Sequence, residues 1–268
     1  MPLSVGLLGT GRLGAAVRAA AAPRDDVEIV WAVGRGAELE SLPPVDVAID
    51  VSNAAAVPQH LGWARRTGTP IAVGTTGWDR ALVPDDVDVP VLLASNFSLG
   101  VALVEQLARV LGRYAAHAPS PVDLAVTDTH HRHKVDAPSG TAIVLRDALV
   151  DGAGSDVQVQ TTSLRVGEVV GRHEVVAASA LETIALTHEA HDRAVFATGA
   201  LTAARWLVGR PAGRWSMADL AAEQLGDLAG RSGSPAPEPG GSDPDPGRAH
   251  GIPPTPSTPG APAPHAAA

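Results

Sequence analysis

The feature that most constrains the fold of this chain lies at its start. An apolar run, Leu3-Ser4-Val5-Gly6-Leu7-Leu8, leads directly into Gly9-Thr10-Gly11-Arg12-Leu13-Gly14, and an Ala-rich amphipathic stretch follows. Strand, glycine turn and helix in that order open a doubly wound α/β fold. Glycines at this spacing permit a tight turn and let a pyrophosphate approach the N–H groups at the helix start. A GxGxxG alone is a weak sign, but between a strand and a helix it carries a mechanism. Gly9, Thr10, Gly11, Arg12, Leu13 and Gly14 are therefore candidate dinucleotide-binding residues.

The rest of the first half repeats the alternation. Segments 3–8, 27–33, 46–51, 70–73 and 90–94 read as short buried strands. Segments 12–22 and 99–116 read as helices, and Ser52 is expected to cap a further helix running to about residue 66. In such a parallel sheet, ligands gather outside the carboxyl ends of the strands. Gly74, Thr75 and Thr76 follow one strand, and Ala94, Ser95, Asn96 and Phe97 follow another. These loops fall where a nicotinamide and its substrate would meet. The second strand ends in Val33-Gly34-Arg35, with no carboxylate to grip the adenine ribose of NADH. Arg35 suits a ribose 2′-phosphate instead, so NADPH is the expected cofactor, with NADH as the alternative.

The pattern then changes. Segments 122–128, 157–165, 173–180 and 182–188 have strand character with only one helix, 140–150, among them. A second, mixed sheet is expected. Segments 199–208 and 216–226 return to helix, the last capped by Ser216. Beyond residue 230 the chain turns to Pro, Gly, Ser and Ala, and eleven of its 23 prolines lie past Arg231. Such a segment buries too little apolar surface to offset its ordering entropy, so 230–268 reads as a disordered tail. The expected organisation is a dinucleotide-binding domain from 1–97 and 199–229 around a substrate-binding and oligomerisation domain at 98–198.

Composition excludes several classes. With no cysteine, disulfides, thiolate nucleophiles and cysteine-held metals are ruled out. A formal charge of −9 argues against a nucleic-acid binder. No apolar run approaches the roughly 18 residues of a membrane span. Met1-Pro2-Leu3-Ser4-Val5 lacks the basic start of a secretory signal, so a cytoplasmic location is expected.

The chain contains a single lysine, Lys134, within His130-His131-Arg132-His133-Lys134-Val135-Asp136-Ala137-Pro138-Ser139-Gly140-Thr141. Arginine would serve for solubility, but guanidinium does not release a proton and an ammonium does. A sole lysine beside three histidines points to proton chemistry. The end of this segment starts a helix, whose N–H groups favour a carboxylate or phosphate. A metal site on His130, His131 and His133 is not expected. Adjacent histidines in an extended run point opposite ways, and no second ligand pair is evident.

These residues resemble the 4-hydroxy-tetrahydrodipicolinate reductase (dihydrodipicolinate reductase) family. The resemblance rests on the His130 to Ala142 signature, on Val73-Gly74-Thr75-Thr76-Gly77-Trp78 and on Ser95-Asn96-Phe97-Ser98-Leu99-Gly100. Segments 165–174, 182–188 and 196–200 match as well, and the likeness runs from about residue 3 to 225. It implies a Rossmann-type domain joined to a mixed α/β domain, and a homotetramer. It implies NAD(P)H-dependent reduction of a small cyclic imine dicarboxylate in lysine and diaminopimelate biosynthesis. By carry-over, His130 is the catalytic acid/base and Lys134 a proton donor. His131, Ser139, Gly140, Thr141 and Thr76 would hold substrate, and the three glycine and strand-end loops would line the dinucleotide. Many members have a longer GxxGxxG loop and an acidic residue where this chain has Gly34, and the Pro-rich tail has no counterpart. Two other readings compete. One is a reductase or dehydrogenase of another small amino or imino acid. The other is a non-catalytic NADP-binding regulatory module, which would not need the His-Lys cluster.

Overall fold

The computed structural model describes residues 1–154 and 157–228. The expected tail lies outside the described residues. Parallel order comes first: β1 (Leu3–Leu8), α1 (Arg12–Ala21), β2 (Val27–Val33), β3 (Val47–Asp50), α2 (Val57–Thr67), β4 (Ile71–Val73) and β5 (Pro90–Leu93). Then come α3 (Leu99–His117), β6 (Asp123–His130), α4 (Gly140–Ala153), β7 (Val159–Arg165), β8 (Gly171–Ala178) and β9 (Thr183–Ala190). The chain returns through α5 (Ala194–Leu207), β10 (Gly213–Ser216) and α6 (Met217–Leu228).

Two sheets result. The first has six strands, all parallel, in the order β10-β5-β4-β3-β1-β2. Its central strands carry apolar side chains on both faces because helices cover both, as parallel sheets require. Val5, Leu7, Ile49 and Leu92 face the Ala-rich surfaces of α1 and α5, while Leu8, Ile71, Val73 and Val91 face α2. The second sheet, β7-β6-β8-β9, pairs β6 with β7 in parallel and the rest antiparallel. One face packs on α3 and α4 through Leu124, Val126, Leu145, Leu149 and Val175. Those helices touch backbone to backbone. A Cβ on Gly112 would lie 2.2 Å from the Leu149 carbonyl, and one on Gly152 would lie 2.1 Å from that of Arg109.

Four expectations need correction. Ser52 does not cap α2. Its hydroxyl donates to Asp50 at 2.6 Å, and the helix begins only at Val57. His130 ends strand β6 instead of opening a loop. α5 begins at Ala194, five residues before the expected 199. A strand, β10, precedes the last helix and joins β5, with Trp215 1% exposed. Ser216 does cap α6: its hydroxyl accepts from the Asp219 N–H at 3.2 Å, and Asp219 returns the bond at 2.8 Å.

Candidate active site

In the first sheet β1 and β3 are neighbours, but the chain leaves them for opposite edges. The loops after them part there and open a crevice. It measures about 240 Å³ and is lined by Gly9 to Gly11, Gly34 to Ala37 and Val51 to Asn53. Gly9 has φ +121, and a Cβ on it would lie 2.5 Å from the Val51 carbonyl. A Cβ on Gly14 would lie 2.0 Å from the Gly9 carbonyl, so only glycine lets helix and turn meet. Gly11 would meet nothing within 4 Å. Among the described residues no side chain caps the start of α1, which leaves its first N–H groups available to an anion. Thr10, Arg12 and Arg35 are exposed, and Arg35 stands at the crevice lip. Leu13 packs toward the core and offers only its backbone.

Behind the crevice, bonded to its lining residues Ser52 and His60, lies a group the sequence did not single out. Asp50 is 0% exposed at the end of β3. Its Oδ2 lies 2.7 Å from His60 Nδ1, and its Oδ1 accepts from the Ser52 hydroxyl and, at 2.9 Å, from the Thr75 hydroxyl. Burial alone would raise its pKa. The bonds from His60 and Ser52 outweigh that and hold it below the ordinary carboxylate range. Asp50 thus ties the loops after β3 and β4 to α2 and occupies the Thr75 hydroxyl, while Thr76 is exposed beside it. Gly74 makes room for the Phe97 ring, since a Cβ there would lie 2.1 Å from it. Phe97 and Ala94 are buried in the core, so of that loop Ser95 and Asn96 remain accessible.

On β6 the side chains of Val126, Asp128 and His130 alternate onto the helix-covered face. Asp128 is fully buried and is the hub of the cluster. Its Oδ2 lies 2.9 Å from His130 Nδ1 and accepts from Arg165 Nη1 at 2.9 Å, while Ser163 donates to Oδ1. Burial would raise the Asp128 pKa, and the Ser163 and Arg165 donors reverse this and leave it lowered. Burial also pushes the His130 imidazole below the ordinary histidine range. The Lys134 and Arg165 charges add to this, and the Asp128 carboxylate opposes it. An ionised carboxylate at Nδ1 accepts the Nδ1–H, so Nε2 is the nitrogen left to exchange a proton.

The segment after β6 folds back over this cluster. Arg165 Nη2 donates to the Asp136 carbonyl, and the Arg132 N–H donates to the Gly167 carbonyl at 3.1 Å. Lys134 Nζ pairs with Asp136 at 2.8 Å, its side chain 23% exposed. His131 is half-buried, and His133 and Gly140 are exposed. Ser139 is buried and caps α4, accepting from the Ala142 N–H at 3.2 Å. Thr141 Oγ1 accepts from Asn96 Nδ2 at 3.2 Å, and Asn96 Oδ1 accepts from the Ser98 N–H at 2.7 Å. The Asn96–Thr141 bond joins the loop after β5 to the start of α4, and so the first sheet to the His130 segment.

Asp50, His60, Asp128, Ser163 and Arg165 were missed in the sequence. The available signal was the two-residue alternation of Val126, Asp128 and His130, which puts the acid and the imidazole on one face.

A family model described as "Dihydrodipicolinate reductase, N-terminus" matches residues 3–97, and one described as "Dihydrodipicolinate reductase, C-terminus" matches residues 99–221. The 4-hydroxy-tetrahydrodipicolinate reductase of Acidiphilium cryptum is 40% identical over 242 residues, which cover 81% of this chain and 97% of that protein. That of Zymomonas mobilis is 39% identical over 249 residues, covering 81% and 96%. A dipicolinate-bound dihydrodipicolinate reductase from Paenisporosarcina sp. TG-14 shares the fold, with a TM-score of 0.67 at 16% identity, covering 81% of this chain and 98% of that one. The family models account for both halves of the molecule, the glycine-loop crevice and the His130 cluster alike, and the chain belongs to the dihydrodipicolinate reductase family.

Proposed function

We propose that the protein is a 4-hydroxy-tetrahydrodipicolinate reductase. It reduces 4-hydroxy-2,3,4,5-tetrahydrodipicolinate to tetrahydrodipicolinate, with loss of water, at the expense of NAD(P)H. One observation carries the reading. The Asn96–Thr141 bond brings a nucleotide-fold strand end against a capped helix start that lies beside a carboxylate-anchored imidazole. That juxtaposition suits hydride transfer to a small anion with proton transfer alongside.

The residues fit a dinucleotide. The uncapped start of α1, bare Gly11 and the adjoining crevice would hold its pyrophosphate and adenosine, and Arg35 a 2′-phosphate. Thr75, Thr76, Ser95 and Asn96 would flank its nicotinamide end. When bound, the cofactor supplies the hydride. This chain's residues orient the substrate and move protons. The Gly140 and Thr141 N–H groups, the Thr141 hydroxyl, His131 and Thr76 receive the substrate carboxylates, and the Ser139 hydroxyl fixes that helix start. His130 Nε2 exchanges a proton with the substrate, while Asp128 holds the ring and balances the charge of its protonated form. Lys134 supplies a second proton from the loop above.

NADPH is the proposed preferred cofactor. Gly34 leaves out the carboxylate that would repel a 2′-phosphate, and Arg35 adds a guanidinium beside the space. The proposed domain division is 1–97 with 199–229, and 98–198 between them. A homotetramer is proposed as well. Among the described residues no helix covers one face of the second sheet, which exposes Leu164 by 50%, with Thr162, Ala185 and Thr187 alongside.

The experiment is to mix purified protein with the condensation product of aspartate semialdehyde and pyruvate and follow NADPH absorbance. Cofactor oxidation that depends on the dicarboxylate is expected. No oxidation with either NADPH or NADH would refute the reading.

A further inference from the structure

His173 and His188 have no part in the chemistry above, yet both are packed against it. They sit opposite each other on β8 and β9. The His173 ring meets the His130 ring edge to face, centroids 5.1 Å apart at 71°. The His188 ring follows at 6.2 Å. The three imidazoles form a row across the helix-covered face of the second sheet. His173 in the middle and His188 at the end each touch a helix cap: His173 Nε2 lies 3.4 Å from Ser139 Oγ on α4, and His188 Nε2 lies 3.2 Å from Ser98 Oγ on α3.

The surroundings of His173 suit an uncharged ring. An imidazolium donates from both nitrogens. His173 has a hydroxyl at Nε2, but its Nδ1 is buried with no partner among the described residues, and the same holds for His188 Nδ1. Burial, joined by repulsion from His130, pushes His173 down to about 4. A neutral ring here does not compete with His130 for its proton or for Asp128. It walls off one side of the His130 ring. Gly171, on the same strand, leaves room at Nε2: a Cβ there would lie 3.1 Å from it.

We propose that His173 is a positioning residue. It holds the His130 imidazole in the orientation set by Asp128 and keeps water off that ring, and it does so uncharged. The proposal rests on the reading of His130 as the group that exchanges the substrate proton. The titratable and charged groups around the pair are Asp128 on β6, Arg165 on β7, His188 on β9, and Lys134 and Asp136 on the loop after β6. The α3 and α4 starts contribute the Ser98 and Ser139 hydroxyls.

The test compares His173→Ala and His173→Phe in the full chain. The readouts are kcat, KM for NADPH, the pH profile of kcat, and the NMR titration of His130. Alanine admits water beside His130, so the His130 titration should move up toward the ordinary histidine range. Its kcat should fall about tenfold to a hundredfold, with KM for NADPH unchanged. Phenylalanine keeps a ring wall without nitrogens. It should leave the His130 titration in place and bring kcat back to within about threefold of wild type. An alanine variant within about twofold of wild-type kcat, an unmoved His130 titration in it, or a phenylalanine variant no better than alanine overturns the proposal. If the alanine variant does not fold, the phenylalanine variant decides alone, and a kcat loss beyond about tenfold overturns the proposal. If wild type turns over no cyclic imine dicarboxylate, the functional reading fails, and the His130 titrations still decide the positioning claim.

Discussion

Replacing Asp128 with asparagine separates the orientation of His130 from its electrostatics. Three donors converge on the carboxylate: Ser163 at Oδ1, and Arg165 and His130 at Oδ2. An asparagine carbonyl turned toward the Oδ2 position still accepts from His130 and Arg165. Ser163 can rotate its hydroxyl to accept from the amide NH2. Geometry is kept and the charge is lost. Bonds to an ionised carboxylate are worth about 1.5–3 kcal/mol each, against about 0.5–1.5 for neutral ones. Arg165, with its side chain 16% exposed, also loses its counter-charge. The net loss should be about 2–4 kcal/mol, a large part of a usual total of 5–15. The catalytic effect has a sign. Asp128 raises the His130 pKa against burial, so removing its charge lowers that pKa further. With His130 as the proposed acid, activity is lost as pH rises through its pKa, and the falling limb should move to lower pH. The expected kcat loss is about tenfold to a hundredfold near pH 8 and smaller near pH 6. Chemical denaturation gives the first number, and kcat against pH gives the second. A folded Asp128→Asn protein whose falling limb stays put, or moves up, would refute the reasoning.

Lys134→Ala should lower kcat by roughly 10²–10⁴-fold and leave NADPH affinity near normal, measured by turnover and by fluorescence titration of the cofactor. Arg35→Ala should remove a roughly tenfold to hundredfold preference for NADPH over NADH, read as the ratio of the two kcat/KM values. An unchanged ratio would pass that role to another arginine, with Arg12 the next to test. Asp50 and Asp128 are both held below the ordinary carboxylate range. The stability they add is therefore fully present above the unfolded value of about 3.9 and lost as pH falls through their lower folded values. Thermal melts toward acid should show that loss, and it should be shallower in Asp50→Asn. Chelator treatment should leave turnover unchanged, because the proposed reaction uses imidazole and ammonium protons and no metal ion.

Much of the frame was legible because its constraints are local. Gly9 and Gly14 are required by backbone contacts inside one turn, and the apolar strands of the parallel sheet read directly from their runs. Elements were misread where a polar residue took a partner that the local pattern does not announce. Ser52 looks like a helix cap, but Asp50 claims its hydroxyl, so α2 starts at Val57. β6 runs two residues past the expected end at Asp128, to His130, a polar residue buried against Asp128, which Ser163 and Arg165 meet from β7. Those partners lie 35 and 37 residues away, and His173, which packs on His130, comes from β8. No local spacing records such contacts. β10 is four residues long and earns its place through the buried Trp215, packed edge to face on Trp206 at 5.5 Å.

The central claim is that hydride passes from the cofactor to a cyclic imine dicarboxylate at the His130 site. The direct measurement is mass spectrometry of the product after turnover with NADPH deuterated at the transferred position. Tetrahydrodipicolinate carrying the deuterium, with the label lost from the cofactor in equal amount, is the predicted result. Tetrahydrodipicolinate without label, or deuterium retained in the cofactor while the substrate disappears, would contradict it.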